Sequence, residues 1–190
     1  MLHRRAALAA GAAGVLALAG CATVPPTPSP ASPASAAGDR PADGTFFAGR
    51  LAVAVDVQGD APPRAFSGSF ELRGDATRGT LTLASPLGTA VAEGRWQPAE
   101  ALLVTPRETR RYATLGELTR DALGEAVPLE ALFDWLQGRP APGAASVPAE
   151  RGFLQLGWRV DTSGLADGRL QARRVAPEPA VDVRIRLDRS

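Results

Sequence analysis

The sequence predicts a mainly β domain in which a curved antiparallel sheet carries helices against its apolar face. Three observations support this fold class: apolar and polar residues alternate in many short stretches, two consecutive stretches in the middle of the chain follow the helical period, and alternation then resumes. Strands with one apolar face suit an antiparallel sheet with a single buried side, which the helices can cover. The pattern leaves open whether the sheet closes into a barrel.

The first group of predicted strands lies between Phe46 and Val104. Apolar residues occupy every second position of short stretches, and the pairs Gly59-Asp60, Gly74-Asp75 and Gln97-Pro98 supply turns between them. The apolar positions are Leu51, Val53, Val55, Val57, Phe66, Phe70, Leu72, Leu81, Leu83, Val91, Trp96 and 102–104.

A first helix is predicted over residues 114–123. Thr114 and Glu117 have the spacing of a capping box, in which each side chain pairs with a free backbone N–H of the first turn. Gly124 follows the last position of the apolar face and suits the end of the helix. The apolar face is formed by Leu115, Leu118, Ala122 and Leu123.

A second helix is predicted over residues 128–137. Pro128 suits the first helical position, because the N–H that proline lacks would have no helical partner there. Gly138 suits the end of the helix. The residues that would face the sheet are Leu129, Leu132, Phe133 and Leu136.

The remaining third of the chain returns to strands. Residues 139–149 are rich in Pro and Ala and are predicted as a loop. Alternation over residues 154–161 predicts one strand, Leu170 and Ala172 indicate another, and residues 181–187 show the clearest alternation in the chain.

The first twenty-one residues predict a secretory leader that ends at a lipidated cysteine. Arg4 and Arg5 precede an apolar stretch at 6–19, which is too short to span a bilayer stably and ends in Leu-Ala-Gly-Cys. We expect residues 1–20 to be removed and Cys21 to carry acyl chains, several of which hold a protein on a membrane. Ala22 after the cysteine is typical of sorting to the outer membrane of Gram-negative bacteria.

The mature chain is predicted to be a tethered domain. Residues 21–44 are Pro, Ala, Ser and Thr with few large apolar side chains, so we expect the lipidated Cys21 to be followed by an extended linker. The globular domain then covers residues 45–190. Its core has to stabilise it without disulfides, because Cys21 is the only cysteine in the sequence.

The sequence offers few groups for catalysis or metal binding. The only histidine is His3, in the leader, so a Ser-His-Asp triad, a Cys-His pair and a His-based zinc site are excluded from the mature domain. The carboxylates at helical spacing, Glu117 with Asp121 and Glu130 with Asp134, fall on polar faces and are expected to be solvated. We therefore expect no enzyme, no catalytic residue, no metal and no cofactor.

Charge gives no indication of a nucleic-acid partner. The sequence has 21 basic and 20 acidic side chains, and removal of Arg4 and Arg5 leaves a net charge of −1. The Arg-rich runs at 107–111 and 173–174 lack interleaved aromatic residues. We expect no nucleic-acid binding.

Four segments resemble the LolB family of outer-membrane lipoprotein insertion factors. They are Gly-Arg-Leu-Ala-Val at 49–53, Phe-Ser-Gly-Ser-Phe at 66–70, Leu-Thr-Leu-Ala-Ser-Pro-Leu-Gly at 81–88, and the stretch from Pro128 to Trp-Leu-Gln-Gly at 135–138. Their order and spacing cover nearly the whole mature chain. The Pro/Ala-rich linker, the loop at 139–149 and a last strand without a closing aromatic residue depart from the family.

The resemblance implies an incomplete antiparallel β-barrel with a helical lid over an apolar cavity, the lid being formed by helices 114–123 and 128–137. It also implies a monomeric acceptor that takes lipoproteins from the periplasmic carrier LolA and inserts them into the inner leaflet of the outer membrane. Its partners would be LolA, the acyl chains of cargo lipoproteins and outer-membrane lipid. The residues expected to line the cavity are Leu51, Val53, Phe70, Leu83, Leu118, Leu132, Phe133 and Trp135.

The stretch Ser85-Pro86-Leu87-Gly88 has the composition of a tight turn, with Pro second and Gly fourth. In the family the equivalent leucine, on a protruding loop, is implicated in delivering cargo to the membrane, so Pro86, Leu87 and Gly88 are expected to form a membrane-insertion loop. The alternative is a Leu87 side chain that folds back onto the sheet.

Two other functions remain open on the sequence. One is a structural or assembly lipoprotein that binds another outer-membrane protein through its sheet, and the other is a lipocalin-like binder of a free lipid.

Overall fold

An antiparallel sheet of eleven strands forms the body of the residues that the computed structural model describes, 44–56 and 64–188. The strands are β1 (Thr45–Val55), β2 (Arg64–Gly74), β3 (Gly79–Ala84), β4 (Ala90–Gln97), β5 (Glu100–Val104), β6 (Thr109–Tyr112), β7 (Ser146–Ala149), β8 (Gly152–Gln155), β9 (Trp158–Asp161), β10 (Arg169–Arg174) and β11 (Val181–Leu187). Two helices, α1 (Leu115–Leu123) and α2 (Leu129–Trp135), lie between β6 and β7 in the chain.

The sheet is a curved, incomplete barrel, as the resemblance implied. Its strand order is β6-β5-β4-β3-β2-β1-β11-β10-β9-β8-β7, so the first and last strands pair at the centre. Within the described residues β6 and β7 are the two edges and do not pair with each other. The chain between these two edges carries both helices.

One face of the sheet is apolar and buried, as the alternation predicted. Leu51, Val53 and Val55 of β1 stand opposite Ile185, Val183 and Val181 of β11 in direct register, which puts all six side chains on the inner face. The two helices pack on this face. The buried helix residues include Leu115, Leu118, Leu129, Leu132, Phe133 and Trp135.

Helix α1 begins and ends where the sequence predicts. Thr114 is the N-cap, and its hydroxyl accepts a hydrogen bond from the backbone N–H of Glu117 at 3.1 Å. The Glu117 carboxylate accepts one from the N–H of Ala113 at 3.0 Å. Gly124 ends the helix at φ +89°, a conformation that favours glycine.

Helix α2 is shorter than the predicted span of 128–137. Pro128 caps the helix from outside instead of being its first residue, and the helix ends at Trp135. The N–H groups of Gln137 and Arg139 both turn back to the carbonyl of Asp134, which closes the helix before Gly138. The prediction that Asp134 is solvated is also wrong, because its side chain is buried and paired with Arg139 at 2.7 Å.

The strand predicted over residues 154–161 is in fact a hairpin of β8 and β9. Leu156 and Gly157 form its two-residue turn, with φ of +53° and +78°. Alternation does not reveal this turn, because Leu occupies a position where Asn or Gly is usual.

Two edge strands were missed by the sequence prediction. Residues 146–149 form β7 at the end of the predicted loop, and residues 109–112 form β6. Both have only four residues and few buried side chains, so neither shows the alternation that predicts a strand.

Several predicted features lie outside the described residues: the leader at 1–20, Cys21, most of the linker at 21–44, Val57 and the Gly59-Asp60 turn. All described residues belong to one compact unit, Asp39–Ser190, which contains the whole hydrophobic core. No helix among them is both long and apolar enough to cross a membrane.

Candidate functional site

A narrow apolar cavity lies between the inner face of the sheet and the helices. Its free volume is about 60 Å³. Apart from the hydroxyl of Thr119, only apolar side chains and a glycine line it. The lining residues are Leu51, Val53, Phe66, Leu81, Leu83, Ala92, Gly94, Leu103, Leu118, Thr119, Ala122, Leu123, Val127, Leu129, Leu132 and Val183.

The structure brings five of the eight candidate cavity residues together around this space. They are Leu51, Val53, Leu83, Leu118 and Leu132. The three aromatic candidates, Phe70, Phe133 and Trp135, are buried in the core but do not belong to the lining. Whether any of the eight contacts an acyl chain stays a prediction.

Sequence reasoning missed the small residues of the lining. Ala92 and Gly94 on β4 sit opposite leucines of β3 and β5 and leave room that larger side chains would fill. A β-carbon at Gly94 would lie 4.0 Å from its nearest neighbours, Leu118 Cδ2 and the Leu81 carbonyl oxygen. Small residues on a buried strand face were the available signal for a gap in the packing.

Helix α2 is held firmly on the sheet by Trp135. Its indole N–H donates to the side-chain oxygen of Gln155 at 2.8 Å, and its ring contacts Phe153 and Trp158 with centroid distances of 6.5 and 6.2 Å. Gln155 is itself buried and also bonds to the backbone of Ala141, as acceptor and as donor, at 2.8 Å in each direction. With its polar atoms paired, this cluster fixes α2 as a wall of the cavity.

Helix α1 is attached more lightly. Its polar face is exposed, and Ala122 and Leu123 at its end are only partly covered although they line the cavity. In the middle of α1, Thr119 joins the helix to the segment before α2, because its hydroxyl accepts the N–H of Val127 at 3.0 Å.

A surface hydrogen-bond cluster links α1 to the edge strand β6. The carboxylate of Asp121 accepts the hydroxyl of Tyr112 at 2.5 Å and the guanidinium of Arg110 at 2.8 Å. These two bonds, that of Tyr112 first, hold the pKa of Asp121 below its ordinary value. Partial burial, together with the hydrogen bond to Asp121, raises the pKa of Tyr112.

The connection between the helices is bound to the sheet by a buried ion pair. Arg174 of β10 pairs with Glu125, and both side chains are largely shielded from solvent. The guanidinium carbon of Arg174 lies 5.6 Å from the ring centre of Trp158. The run at 173–174 therefore includes a structural arginine.

Leu87 is the most exposed large apolar residue of the described chain, at 94%. It lies in the turn from β3 to β4, which is closed by hydrogen bonds from the N–H of Gly88 to the carbonyl of Ser85 and from the N–H of Ser85 to the carbonyl of Thr89, both at 2.8 Å. Gly88 has φ +84°, and no atom lies within 4 Å of where its β-carbon would be. The turn thus projects from the sheet, and Leu87 does not fold back.

Fold and site together define a class of protein: an open antiparallel barrel whose apolar interior is covered by helices of unequal attachment. A family model described as Outer membrane lipoprotein LolB matches residues 46–188. An outer-membrane lipoprotein LolB of Bordetella petrii is 32% identical over 156 residues, which cover 76% of this chain and 78% of the relative.

Two further relatives carry the same name. The protein of Chromobacterium violaceum is 32% identical over 63% of this chain and 64% of its own length. That of Bordetella pertussis is 38% identical over 51% of this chain and 49% of its own length, so that alignment spans about half of each protein. The chain belongs to the LolB family of outer-membrane lipoproteins.

Proposed function

We propose that the chain is an acceptor at the outer membrane that receives lipoproteins from the periplasmic carrier LolA and inserts them into the inner leaflet. In this proposal Cys21 carries the lipid anchor, the residues from 45 onward form the acceptor domain, and no catalytic group takes part. The observation that carries the proposal is the apolar cavity between the sheet and α1. An acyl chain of sixteen carbons would cost on the order of 12 kcal/mol to expose to water, so a periplasmic acceptor has to enclose it.

Acyl binding on this proposal requires α1 to move. The free volume of the cavity, about 60 Å³, is room for a few water molecules only. A sixteen-carbon chain is many times larger. Since α2 is fixed by Trp135 and α1 has the weaker attachment, displacement of α1 is the motion that opens the space.

Release into the bilayer is assigned to the turn of Pro86, Leu87 and Gly88. Transfer of one leucine side chain from water to an apolar phase contributes roughly 1.5–3 kcal/mol. This is enough to orient the domain on a membrane and too little to anchor it. In this proposal, transfer runs down an affinity gradient from carrier to acceptor to bilayer.

The test is the variant Leu87→Glu. We expect it to fold and to take cargo from LolA at the normal rate, because the turn is remote from the core. Release of that cargo into liposomes should fall at least about tenfold, since a carboxylate would have to enter apolar lipid. Labelled cargo is followed in two steps, first from LolA to the chain and then from the chain to liposomes.

Ala76→Glu is the matched control, because it adds the same charge on an exposed turn between β2 and β3, at the opposite end of β3. It should leave both steps unchanged. Normal release by Leu87→Glu would refute the role of the turn. If purified chain bound free fatty acid but took no cargo from LolA, the acceptor function would fail as a whole.

A further inference from the structure

A groove rich in arginine lies on the outer face of the sheet, opposite the acyl cavity. Its volume is about 610 Å³, and five guanidinium groups and one carboxylate contribute to its lining. The charged lining residues are Arg50, Arg151, Arg169, Arg184, Arg186 and Asp161.

Three of these arginines stand in one row across neighbouring strands. Arg50 of β1 is directly opposite Arg186 of β11, which is directly opposite Arg169 of β10. Like charges at directly opposed positions destabilise a sheet, because their side chains share one face at close range. The three arginines of this row repel one another in the folded protein. A bound anion would reduce that repulsion.

The arginines in the row differ in how they are neutralised. Arg169 pairs with Asp167 at 2.7 Å. No carboxylate partner exists for Arg50 or Arg186 among residues 44–56 and 64–188. Elsewhere in the groove, Arg151 pairs with Asp161 at 3.0 Å, and Arg184 pairs with Asp182 at 2.7 Å. The groove therefore retains uncompensated positive charge at its centre, next to arginines that are already held in place.

We propose that this groove binds the phosphate groups of phospholipid headgroups at the membrane surface. Guanidinium groups bind phosphate oxygens through paired, charge-assisted hydrogen bonds, and several of them can share one phosphate. The hydroxyl of Ser67 and the amide of Gln171 also line the groove and can donate to the same oxygens.

The position of the row favours a lipid over an acidic protein. Arg50 of β1 pairs with Ser69 of β2, and Ser69 pairs with Ala84, the last residue of β3. The turn that carries Leu87 begins directly after Ala84. Two strand spacings separate Arg50 from Ala84, about 10 Å. Directly paired residues share a face, so the arginines are set behind the apolar tip on the outer face of the sheet.

The order of these groups agrees with the order of the layers of a bilayer, because the turn with Leu87 extends beyond the level of Arg50. An apolar tip suits the acyl region, and guanidinium groups set back from it suit the headgroup region, which is about 5–8 Å thick on each side. Basic residues near an anionic membrane surface each strengthen binding. The inference rests on the proposed role of Leu87 as the residue that meets the membrane.

The test compares two double variants of the unlipidated chain from Ala22 to Ser190, which contains the entire compact unit. Arg50→Gln with Arg186→Gln empties the centre of the groove. Arg159→Gln with Arg173→Gln is the matched control, because it removes another directly opposed and exposed arginine pair, on β9 and β10. Neither of its residues lines the groove. Binding is measured by sedimentation with vesicles of phosphatidylethanolamine and phosphatidylglycerol.

We expect the groove variant to lose vesicle binding by about tenfold or more, and the control by no more than about threefold. The groove variant should unfold at the same or a higher temperature than the wild type, since the repulsion in the row is relieved. If both variants lost vesicle binding equally, the loss would reflect surface charge in general, and the proposal would be overturned. The proposal would also be overturned if the groove variant bound vesicles as well as the wild type does. If that variant at the same time lost capture of cargo from LolA, the groove would be a site for an acidic protein surface.

Inorganic phosphate distinguishes the source of the ligand. If it bound the soluble chain as tightly as vesicles do, the groove would be a site for free phosphate and the lipid assignment would fail. Failure of the proposed function can be distinguished from failure of this inference. In that case Leu87→Glu would release cargo normally, while vesicle binding would still depend on Arg50 and Arg186.

Discussion

At the scale of single residues, Gly94 leaves space in the apolar cavity between the sheet and α1. It lies on the inner face of β4, in register with Leu81 and Leu103, and its backbone is not in the left-handed region. A β-carbon there would make ordinary contacts at 4.0 Å. A side chain can therefore be added without backbone strain, and it would grow into the cavity.

We predict that Gly94→Val fills the cavity and lowers capture of cargo from LolA by about tenfold or more. Valine suits a strand, and overpacking of a core by a few methyl groups costs about 1–3 kcal/mol, so the domain should remain folded. Gly94→Ala is the control, because it adds only the β-carbon and should capture cargo nearly normally. Capture is measured by transfer of labelled lipoprotein, with thermal unfolding in parallel. Normal capture by Gly94→Val would show that cargo does not enter this space.

Some residues of the candidate site could be predicted from the sequence, and others could not. Leu87 could be found, because an apolar residue at the tip of a tight turn conflicts with local propensity. Gly94 was overlooked, although a small residue on a buried strand face is a signal for a gap in the packing. Thr119 could not be found, since its importance comes from its hydrogen bond to the segment before α2. The aromatic candidates Phe133 and Trp135 do not line the cavity, because Phe133 packs against Trp96 and Trp135 against Phe153 and Trp158 in the core.

At the scale of elements, α1 and α2 differ in their attachment, and the proposed movement of α1 rests on that difference. Burial of Trp135 and its bond to Gln155 hold α2, whereas the cluster of Asp121, Tyr112 and Arg110 holds α1 from the exposed side. Exposed hydrogen bonds are weaker than buried ones, because water competes for both partners. The attachment of α1 is therefore the one that a ligand or a change in pH can release first.

We predict that acid loosens α1 through Asp121. The folded state lowers the pKa of this carboxyl, so the stabilisation is fully present above about pH 4, the ordinary range of aspartate, and is lost as the pH falls through the folded value. Hydrogen exchange of the α1 amides, corrected for intrinsic rates, should show more frequent opening at pH 3 than at pH 6. Asp121→Asn should open more often already at pH 6 and lose most of this pH dependence.

Asp167→Asn provides the control for that measurement, because it removes an exposed, paired carboxylate far along the chain from α1. It should leave exchange in α1 unchanged. A wild-type pH dependence in Asp121→Asn would contradict the role of this cluster.

The elements that sequence predicted well are those whose pattern is strong by itself. The capping box of Thr114 and Glu117 placed the start of α1, and alternation placed β1, β2 and β11. The β8–β9 hairpin was missed because Leu156 hides its turn, and β7 because an edge strand with four residues buries too little to show a pattern. In each failure the missing information was a pairing with a distant part of the chain.

At the scale of the whole molecule, the open edges of the sheet are related to the two helices, which lie between the edge strands in the chain. A sheet that paired β6 with β7 would close its interior and leave no part free to move. The chain instead uses the segment between these strands for α1 and α2, so the cover of the cavity is continuous with both edges. Sequence could predict the order of strands and helices, but the opening depends on strand pairing that no local pattern specifies.

The lipid tether proposed for Cys21 and the linker after it belongs to the same scale, and its role would be to keep the proposed acceptor close to the target bilayer. A linker over residues 22–44 could reach roughly 70 Å when fully stretched, at about 3.1 Å per residue. Such a tether raises the local concentration of the domain at the membrane without adding a contact. If this is its whole role, a soluble form should still work, and a higher concentration should compensate for the missing anchor.

We therefore predict that Cys21→Ala, exported behind an ordinary cleavable leader, still takes cargo from LolA and delivers it to liposomes. The reason is that the apolar cavity, Leu87 and the arginine groove, to which the proposed steps are assigned, all lie within the domain. Its transfer rate per molecule in solution should stay within a few-fold of the lipidated protein, while cells should need more of it to localise their lipoproteins. Titrated expression in cells depleted of the wild-type protein measures this requirement. Complete inactivity at every expression level would mean that the lipid takes part in transfer itself, for example by seating α1 or the Leu87 turn on the bilayer.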